Sequence, residues 1–466
     1  MNDIRFGTDG WRGVIAEDFT ADNVRRAVRA IVSYLNKKSR SVKVIIGCDT
    51  RFMSGYFARA AAETACGAGA KAVICGRPVT TPILSCAVKD EGASGGIMIT
   101  ASHNPPVYNG IKFKAPYGGS AYQAVMAEIE ALLDAGPAHP MPYEEARLKG
   151  ALSEADFFPA YVKRIRALLD TERVRRSGVR AVLDCMHGSS GGYAGRLWEA
   201  FELETRVIRA GADPYFGGIN PEPLEANLKA LSSEVVSSGC GAGFAFDGDA
   251  DRLGVVDGSG RFVMPYQVMS LLLLHLAKNR KMTGMVVKTV SSSTLIDRVA
   301  DDLGLPVVET PVGFKHICRH MLEDDVLIGG EENGGLGIKG YIPERDGMLA
   351  ALLLTEAMAC EGKGLSELLA RMDKKYGRLY HKRYDCKLES PAPDLSKSHA
   401  RLKDAYRDFG FKELRTLDGV KLVMHDRSWV LFRRSGTEPV LRVYAESEDP
   451  VRTEKLIARG VEVLVG

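Results

Sequence analysis

Through its first three quarters the chain alternates short apolar runs with helical periodicity, the pattern of α/β units whose strands are largely parallel. Val42–Gly47 predicts a strand leading into Asp49-Thr50-Arg51, Val179–Leu183 one leading into Asp184 and the polar run His187–Gly192, and Met285–Val287 one leading into Lys288 and Ser291–Ser293. A helix follows each. About 40 to 65 residues further on, a second strand runs into another polar loop, a spacing compatible with a duplicated unit. These pairs are Gly96–Thr100 with Ser102-His103-Asn104, Gly243–Phe246 with Asp247–Arg252, and Val326–Gly330 with Glu331–Gly335. Three related α/β domains are expected. Loops at the carboxyl ends of strands collect ligands in such sheets, so three equivalent loops could converge on one cleft.

Breaks in the pattern set the expected boundaries. Pro137, Pro140 and Pro142 mark a linker, and Ala151–Asp170 reads as an amphipathic crossing helix, which puts a first break between 137 and 155. The turn cluster Asp257-Gly258-Ser259-Gly260 suggests a second. Beyond Lys374 the rhythm changes. Leu379–Leu388 alternates, Pro391 and Pro393 interrupt, Ser396–Phe409 looks helical, and strands are expected at Val420–Met424, Trp429–Arg433 and Leu441–Ala445. The expected domains are 1–145, 146–257, 258–372 and an α+β module over 373–466.

Composition narrows the class. A chain of 466 residues with 45% hydrophobic content is long enough for about three or four domains. Sixty-two Lys and Arg against 59 Asp and Glu leave a net charge of +3 with no long run of one sign that would read as a nucleic-acid or membrane-surface tail, and global charge says little more about the partner; no nucleic-acid or membrane partner is expected. The nine cysteines are scattered without a C-x-x-C pair, which fits reduced thiols in a cytoplasmic protein. Asp3, Arg5 and Asp9 interrupt the first ten residues, so no secretory signal is expected. The apolar stretches Val268–Ala277 and Met348–Ala359 contain His275 and Glu356, are too short to span a bilayer, and read as buried helices.

The polar loops carry the candidate chemistry. Thr100-Ala101-Ser102-His103-Asn104-Pro105 follows a strand and precedes Tyr108-Asn109-Gly110-Ile111-Lys112, so it reads as a nucleophile loop or as turn chemistry in which Ser and Asn bond their own backbone. Asp247-Gly248-Asp249-Ala250-Asp251-Arg252 is more specific. Three carboxylates at alternating positions after a buried strand suit a hard cation, and an EF-hand is excluded because Arg252 and Gly258 stand where Gly and Glu would be needed. Arg252 adds a fixed charge where a phosphoryl group could arrive. Gly330-Glu331-Glu332-Asn333-Gly334-Gly335 suits vicinal hydroxyls, or is only a negatively charged turn. Arg433-Arg434-Ser435-Gly436-Thr437-Glu438-Pro439, with Arg442 beyond it, forms an anion nest for phosphate or carboxylate. Gly92–Gly96 matches G-x-S-x-G but precedes its strand, and is taken as chance. Gly7–Gly13 is a glycine-rich turn presenting Arg12, with a structural turn as its plain reading.

The motifs GTDGWRG, TASHNP with YNGIK, DGDADR, GEENGG and RRSGTEP, in this order over nearly the whole chain, resemble the α-D-phosphohexomutase family of phosphoglucomutases, phosphomannomutases and phosphoglucosamine mutases. The resemblance implies an isomerase with three similar mixed-sheet α/β domains in tandem plus a C-terminal α+β domain, heart-shaped around a central cleft. By that resemblance Ser102 is the phosphoserine, and Asp247, Asp249 and Asp251 bind Mg2+ together with the group on Ser102. Lys112 and Arg12 move the proton or stabilise charge, with His103 beside the serine. Glu331 and Asn333 hold sugar hydroxyls, and Arg434, Ser435, Gly436, Thr437 and Arg442 hold the distal phosphate. Arg252, Thr8, Lys288 and the turn Gly313-Phe314-Lys315 complete the substrate wall.

The implied cycle passes phosphate from Ser102 to a hexose monophosphate, turns the 1,6-bisphosphate end for end, and returns the other phosphate to Ser102, with hexose 1,6-bisphosphate as activator. The partner is thus a small hexose phosphate, and the protein a monomer or homodimer. Many bacterial members end the sugar loop in Ser-Gly-His, where this chain has Asn333-Gly334-Gly335. The TASHNP and YNGIK wording favours glucose, then mannose. The alternatives are phosphoglucosamine mutase, a metal-dependent sugar phosphatase, and a non-catalytic sugar-phosphate sensor.

Overall fold

Three sheets repeat one strand order. The computed structural model describes residues 4–7, 10–388, 394–434 and 440–465. In the first sheet the leading strand Lys43–Cys48 lies between Lys71–Cys75 and Gly95–Ile99, both parallel to it, and Gly95–Ile99 turns back into antiparallel Tyr108–Lys114. The second sheet does the same with Ala181–Asp184 between Thr205–Ile208 and Ala242–Phe246, the latter turning back into Leu253–Asp257. In the third, Met285–Thr289 lies between Val307–Thr310 and Val326–Gly330, which turns back into Leu336–Ile338. The sheets are mixed, as expected, and each candidate loop lies in the equivalent place, between the third strand and its antiparallel return.

The third strand is built alike in all three. Every residue of Gly95–Ile99, Ala242–Phe246 and Val326–Gly330 is buried. Each also carries a glycine under the helix that precedes it. A Cβ on Gly96 would meet Val88 at 2.5 Å, one on Gly243 would meet Leu231 and Val235 at 2.7 Å, and one on Gly329 would meet Ile317 at 2.3 Å. The missing side chain lets the helix settle directly on the strand, which fixes the height at which the loop emerges.

The fourth domain is different: an antiparallel sheet in the order Tyr380–Lys387, Val440–Ser447, Trp429–Arg434, Val420–Met424, Phe411–Arg415, with the helix Pro450–Leu464 packed against it. Phe432, Leu441, Val443, Leu456 and Tyr406 form its core.

Four local expectations change. Ala151–Asp170 is not one helix: Leu152–Ala155 pairs in parallel with Lys71–Cys75 as an edge strand of the first sheet, and the helix begins at Phe158, where Asp156 Oδ1 accepts from the Phe158 N–H at 3.0 Å. Asp257–Gly260 is a hairpin turn inside the second sheet, since Leu253–Asp257 pairs with Phe262–Val263. Trp11–Val14 is an edge strand of the first sheet rather than only a turn. Phe411–Arg415 is a strand with no buried residue, so its pattern gave no alternation to read. Val268–Ala277 and Met348–Ala359 fall in the largely buried segments Pro265–Asn279 and Gly347–Glu361. Among the described residues no helix is long and apolar enough to cross a membrane. All nine cysteines are free.

Candidate active site

Ser102 stands on a strained, tightly held turn. Its φ of 53° lies in the left-handed region, which costs a non-glycine residue energy and marks over-determined positions. What over-determines it is Arg51. This buried guanidinium donates to the carbonyls of Ser102 and Asn104 at 2.6 Å and to those of Pro105 and Tyr108 at 2.9 Å. Asp49 holds the other side of Arg51 and accepts from Thr100 Oγ1 at 2.6 Å and Ser54 Oγ at 2.8 Å. Ser102 Oγ then points across to the second domain, donating to Asp247 Oδ2 at 2.7 Å.

The aspartate loop meets it. Asp247, Asp249 and Asp251 are all buried, and one carboxylate oxygen from each lies within 4.8 Å of the others. The loop reaches the serine because residue 248 is glycine: a Cβ there would stand 2.5 Å from the Ser102 carbonyl. Burial, followed by the neighbouring Asp251 and Asp249 charges, pushes the Asp247 carboxyl up to about 8. The Asp249 Oδ1 atom is buried without a hydrogen-bond partner. Three crowded carboxylates, one with an unsatisfied oxygen, beside a hydroxyl fit a hard divalent cation.

Fixed cations already surround this charge. Lys112 Nζ lies 2.8 Å from Asp249 Oδ2 and from Asp251 Oδ2. Arg345 donates to Asp251 Oδ2 at 2.6 Å and pairs with Glu331 at 3.3 Å, so one guanidinium joins the aspartate loop to the loop Glu331–Gly335. Arg252 is buried; its backbone N–H donates to Asp247 Oδ1 at 3.1 Å, and its Nε has no hydrogen-bond partner. His103 is half-buried. Desolvation, with Arg252, Arg12 and Lys112 nearby, keeps its imidazole well below the usual histidine range, and its Nδ1 has no hydrogen-bond partner. Arg12 lies opposite Gly110 in the strand register and donates to the Asn104 side chain.

In the loop Glu331–Gly335, burial raises the Glu331 carboxyl, and Asn333 Oδ1 accepts from the Gly335 N–H at 3.1 Å. Gly334 has a φ of 89°, and its carbonyl accepts from the Leu253 N–H at 3.1 Å, which pins this loop to the strand leaving the aspartate loop. Glu332 turns away, accepting from Ser291 Oγ at 2.7 Å and from the Tyr444 hydroxyl of the fourth domain at 3.4 Å.

The remaining expected residues divide. Lys288 is fully buried and engaged by Asp297, the Ser293 carbonyl at 3.2 Å and Glu309 at 3.5 Å, so the structure does not bring it to the serine and carboxylates. Gly313, with a φ of 125°, caps the helix that carries Lys315, whose Nζ donates to Gln123 of the first domain at 2.7 Å. Arg434 ends its strand exposed, and Arg442 stands opposite Arg433 on the next strand. Thr8, Ser435, Gly436 and Thr437 lie outside the described residues.

Three residues escaped sequence reasoning. Arg345 sits in Glu344-Arg345-Asp346, where the Asp346 side chain caps the helix Gly347–Glu361 and gave the only local signal. Thr81 donates its N–H to the Asp249 carbonyl at 2.9 Å and its hydroxyl to the Asp249 carboxylate. Arg51 was legible only as part of a polar loop.

Comparison with known proteins follows the same order of domains. Residues 3–139, 159–260 and 264–376 match the descriptions of phosphoglucomutase/phosphomannomutase α/β/α domains I, II and III, and residues 387–463 match the C-terminal domain of the same set. A "Phosphoglucomutase/phosphomannomutase" of Thermococcus kodakarensis is 32% identical over 465 residues, covering 98% of each chain. A "Probable phosphoglucosamine mutase" of Methanopyrus kandleri is 33% identical, covering 98% of this chain and 97% of the relative. The crystal structure of a "putative phosphomannomutase" from Thermus thermophilus superposes with a TM-score of 0.87 at 36% identity, covering 100% of both chains.

Proposed function

The chain belongs to the phosphoglucomutase/phosphomannomutase family and is a phosphohexomutase, and from that premise we propose that it interconverts hexose 1-phosphate and hexose 6-phosphate through phospho-Ser102 and a hexose 1,6-bisphosphate. Glucose is the preferred sugar in this reading, with mannose accepted. The observation that carries it is the 2.7 Å contact of Ser102 Oγ with Asp247, inside a cluster of three buried carboxylates.

In the first half-reaction the bond from phosphorus to Ser102 Oγ breaks as a bond from phosphorus to the free sugar hydroxyl forms. Asp247, Asp249 and Asp251 would hold Mg2+, which would supply cancellation of charge on the transferred oxygens. Arg252 and Lys112 hold further positive charge in place, so little reorganisation is needed. The hydroxyl proton passes to His103 Nδ1, the partnerless ring nitrogen beside the serine, and from there to the departing Ser102 Oγ, so the transfer leaves a neutral serine hydroxyl. Arg12, joined to the Ser102 loop through Asn104, supports the charge that develops there. Glu331 and Asn333 orient the ring hydroxyls, and Arg434, Arg442 and the 435–437 segment grip the distal phosphate, with Thr8 and Lys315 as further substrate contacts in this reading. The bisphosphate turns, and the same steps reversed return a phosphate to Ser102. Hexose 1,6-bisphosphate primes the serine.

A second sugar is kept in view because several relatives, including the Methanopyrus kandleri protein, are named phosphoglucosamine mutases. A panel of glucose, mannose, glucosamine and N-acetylglucosamine 1-phosphates with Mg2+ and a trace of the matching bisphosphate separates the two. The highest kcat/KM on glucose 1-phosphate supports the reading, and the highest on glucosamine 1-phosphate overturns its sugar assignment. Accumulation of inorganic phosphate instead of the 6-phosphate would make the protein a phosphatase. Ser102→Ala is expected to bind sugar phosphate without turnover.

A further inference from the structure

Away from the serine and the carboxylates, a cavity of about 510 Å3 opens between the first and second domains, with Cys75, Arg77, Glu154, Asp156, Tyr193 and Arg196 in its wall. Its volume is that of a small-molecule site, roughly 300 to 1,000 Å3. It lies at the carboxyl ends of the parallel strands Lys71–Cys75 and Leu152–Ala155, the edge at which open α/β sheets collect ligands.

The wall carries both signs of charge in an orderly way. The Arg196 guanidinium lies over the Phe158 ring at 4.4 Å and makes no ion pair among the described residues. Arg77 stacks on Tyr193 at 4.9 Å and reaches Asp156 through one nitrogen at 3.1 Å. Guanidinium planes held on aromatic rings keep their N–H edges for a phosphate. Glu154 and Asp156 share the wall, and their carboxylate oxygens accept from hydroxyl groups, as Glu154 Oε1 already does from Tyr143 at 2.7 Å. Two carboxylates repel a bare polyanion, whereas a ligand that joins one phosphate or diphosphate group to several hydroxyls satisfies both halves. The Cys75 thiol, pushed up to about 12 by burial, is a neutral wall rather than a nucleophile.

Both walls are tied to the aspartate loop. From Arg77 and Val79 the chain runs directly to Thr81, which bonds Asp249 through its N–H and its hydroxyl. Tyr193 and Arg196 follow the turn Ser189–Gly192, where the Ser189 N–H and hydroxyl donate to the Gly248 carbonyl at 3.0 and 3.1 Å. The Tyr193 hydroxyl closes the seam, donating to the Pro78 carbonyl at 3.0 Å. A group that parts or draws together these walls therefore pulls on the two residues that set the aspartate loop against Ser102.

We propose that this cavity is an effector site for a phosphorylated sugar, with Arg196 and Arg77 on the phosphate and Glu154 and Asp156 on the hydroxyls, and that its occupancy changes turnover through Thr81 and Ser189. The phosphorylated sugar has two sources, a free hexose monophosphate or a nucleoside diphosphate sugar. Titration calorimetry on the Mg2+-loaded full chain, with glucose 6-phosphate and UDP-glucose in separate arms, distinguishes them. The expected result is a binding event in one arm that Arg196→Glu weakens at least tenfold and Arg196→Gln weakens less. Basal kcat and KM and the melting temperature should stay as in the wild type, since Arg196 is an exposed residue outside the catalytic cluster. The same ligand should change wild-type kcat at saturating substrate and leave the Arg196→Glu enzyme unchanged. If neither arm shows an event sensitive to Arg196→Glu, the site is overturned; if one does but turnover is indifferent to it, the coupling is overturned. Binding is read without turnover, so failure here is distinct from failure of the sugar assignment.

Discussion

Arg51 donates to the carbonyl of Ser102 from the neighbouring loop, and the same guanidinium holds three further carbonyls of the serine turn. No other side chain type offers that fork of donors. Arg51→Lys keeps a cation beside Asp49 but strips donors from buried carbonyls, each worth about 1–3 kcal/mol when left unsatisfied. The variant should lose about 2–4 kcal/mol of stability. Turnover should fall more than binding: kcat by roughly 10- to 100-fold with KM nearly unchanged, because misplacement of the proposed nucleophile Ser102 is felt in the transition state. Denaturant melts and steady-state kinetics on both isomers check this, and an unchanged kcat would remove Arg51 from the positioning of Ser102.

Gly248→Ala tests the approach of the two loops from the other side. Its Cβ would meet the Ser102 carbonyl at 2.5 Å, a backbone atom that Arg51 already pins. The loops must part, so phosphorylation of Ser102 by glucose 1,6-bisphosphate, followed by intact mass, should slow by at least tenfold while the circular dichroism spectrum stays that of the wild type.

The aspartate cluster predicts a metal-dependent melting temperature. Burial, with the Asp251 and Asp249 charges beside it, makes the Asp247 carboxyl costly to ionise, and a cation bound by the folded state alone stabilises that state by mass action. Mg2+ should therefore raise the wild-type melting temperature, and chelation should lower it and abolish activity. Asp249→Asn should flatten the dependence on Mg2+. A melting temperature indifferent to Mg2+ in the wild type would count against the site.

The three loops could be read from sequence because each couples a fully buried strand to a run of polar or charged side chains, two signals that need no tertiary knowledge. What stayed hidden depends on approach across the fold. Arg345 meets Asp251 from 94 residues away and Thr81 meets Asp249 from 168, and neither has a neighbour in sequence that reveals its partner. Leu152–Ala155 buries only Leu152 fully, so an edge strand there competes poorly with the helical periodicity that follows. Lys288 entered the substrate wall through the resemblance alone, and its partners were equally hidden: Asp297, nine positions on, and Glu309 on the adjacent strand face its ammonium.

That last network carries a pH prediction. Lys421 of the fourth domain donates to the Val290 carbonyl at 2.9 Å and to Glu309 at 3.0 Å, and desolvation, followed by the neighbouring Lys288 charge, lowers its ammonium from 10.5 to about 8. Glu309 and Asp297 act the other way and favour the charged form. Between pH 8 and 10.5 the unfolded chain binds more protons at this position than the folded one, so stability rises with pH across that window. The contribution is fully present above the unfolded value and is lost as pH falls through about 8. Lys421→Met keeps the stem and removes the titration. The stability of the wild type relative to Lys421→Met should therefore increase by up to about 3 kcal/mol from pH 8 to 10.5, following the size of the shift. Urea melts of both proteins at matched pH measure the difference, which also cancels groups common to the two. A gap that stays flat across the window, or closes as pH rises, would mean that Lys421 keeps its proton in the fold and that the contact between the third and fourth domains is held by an ordinary ion pair.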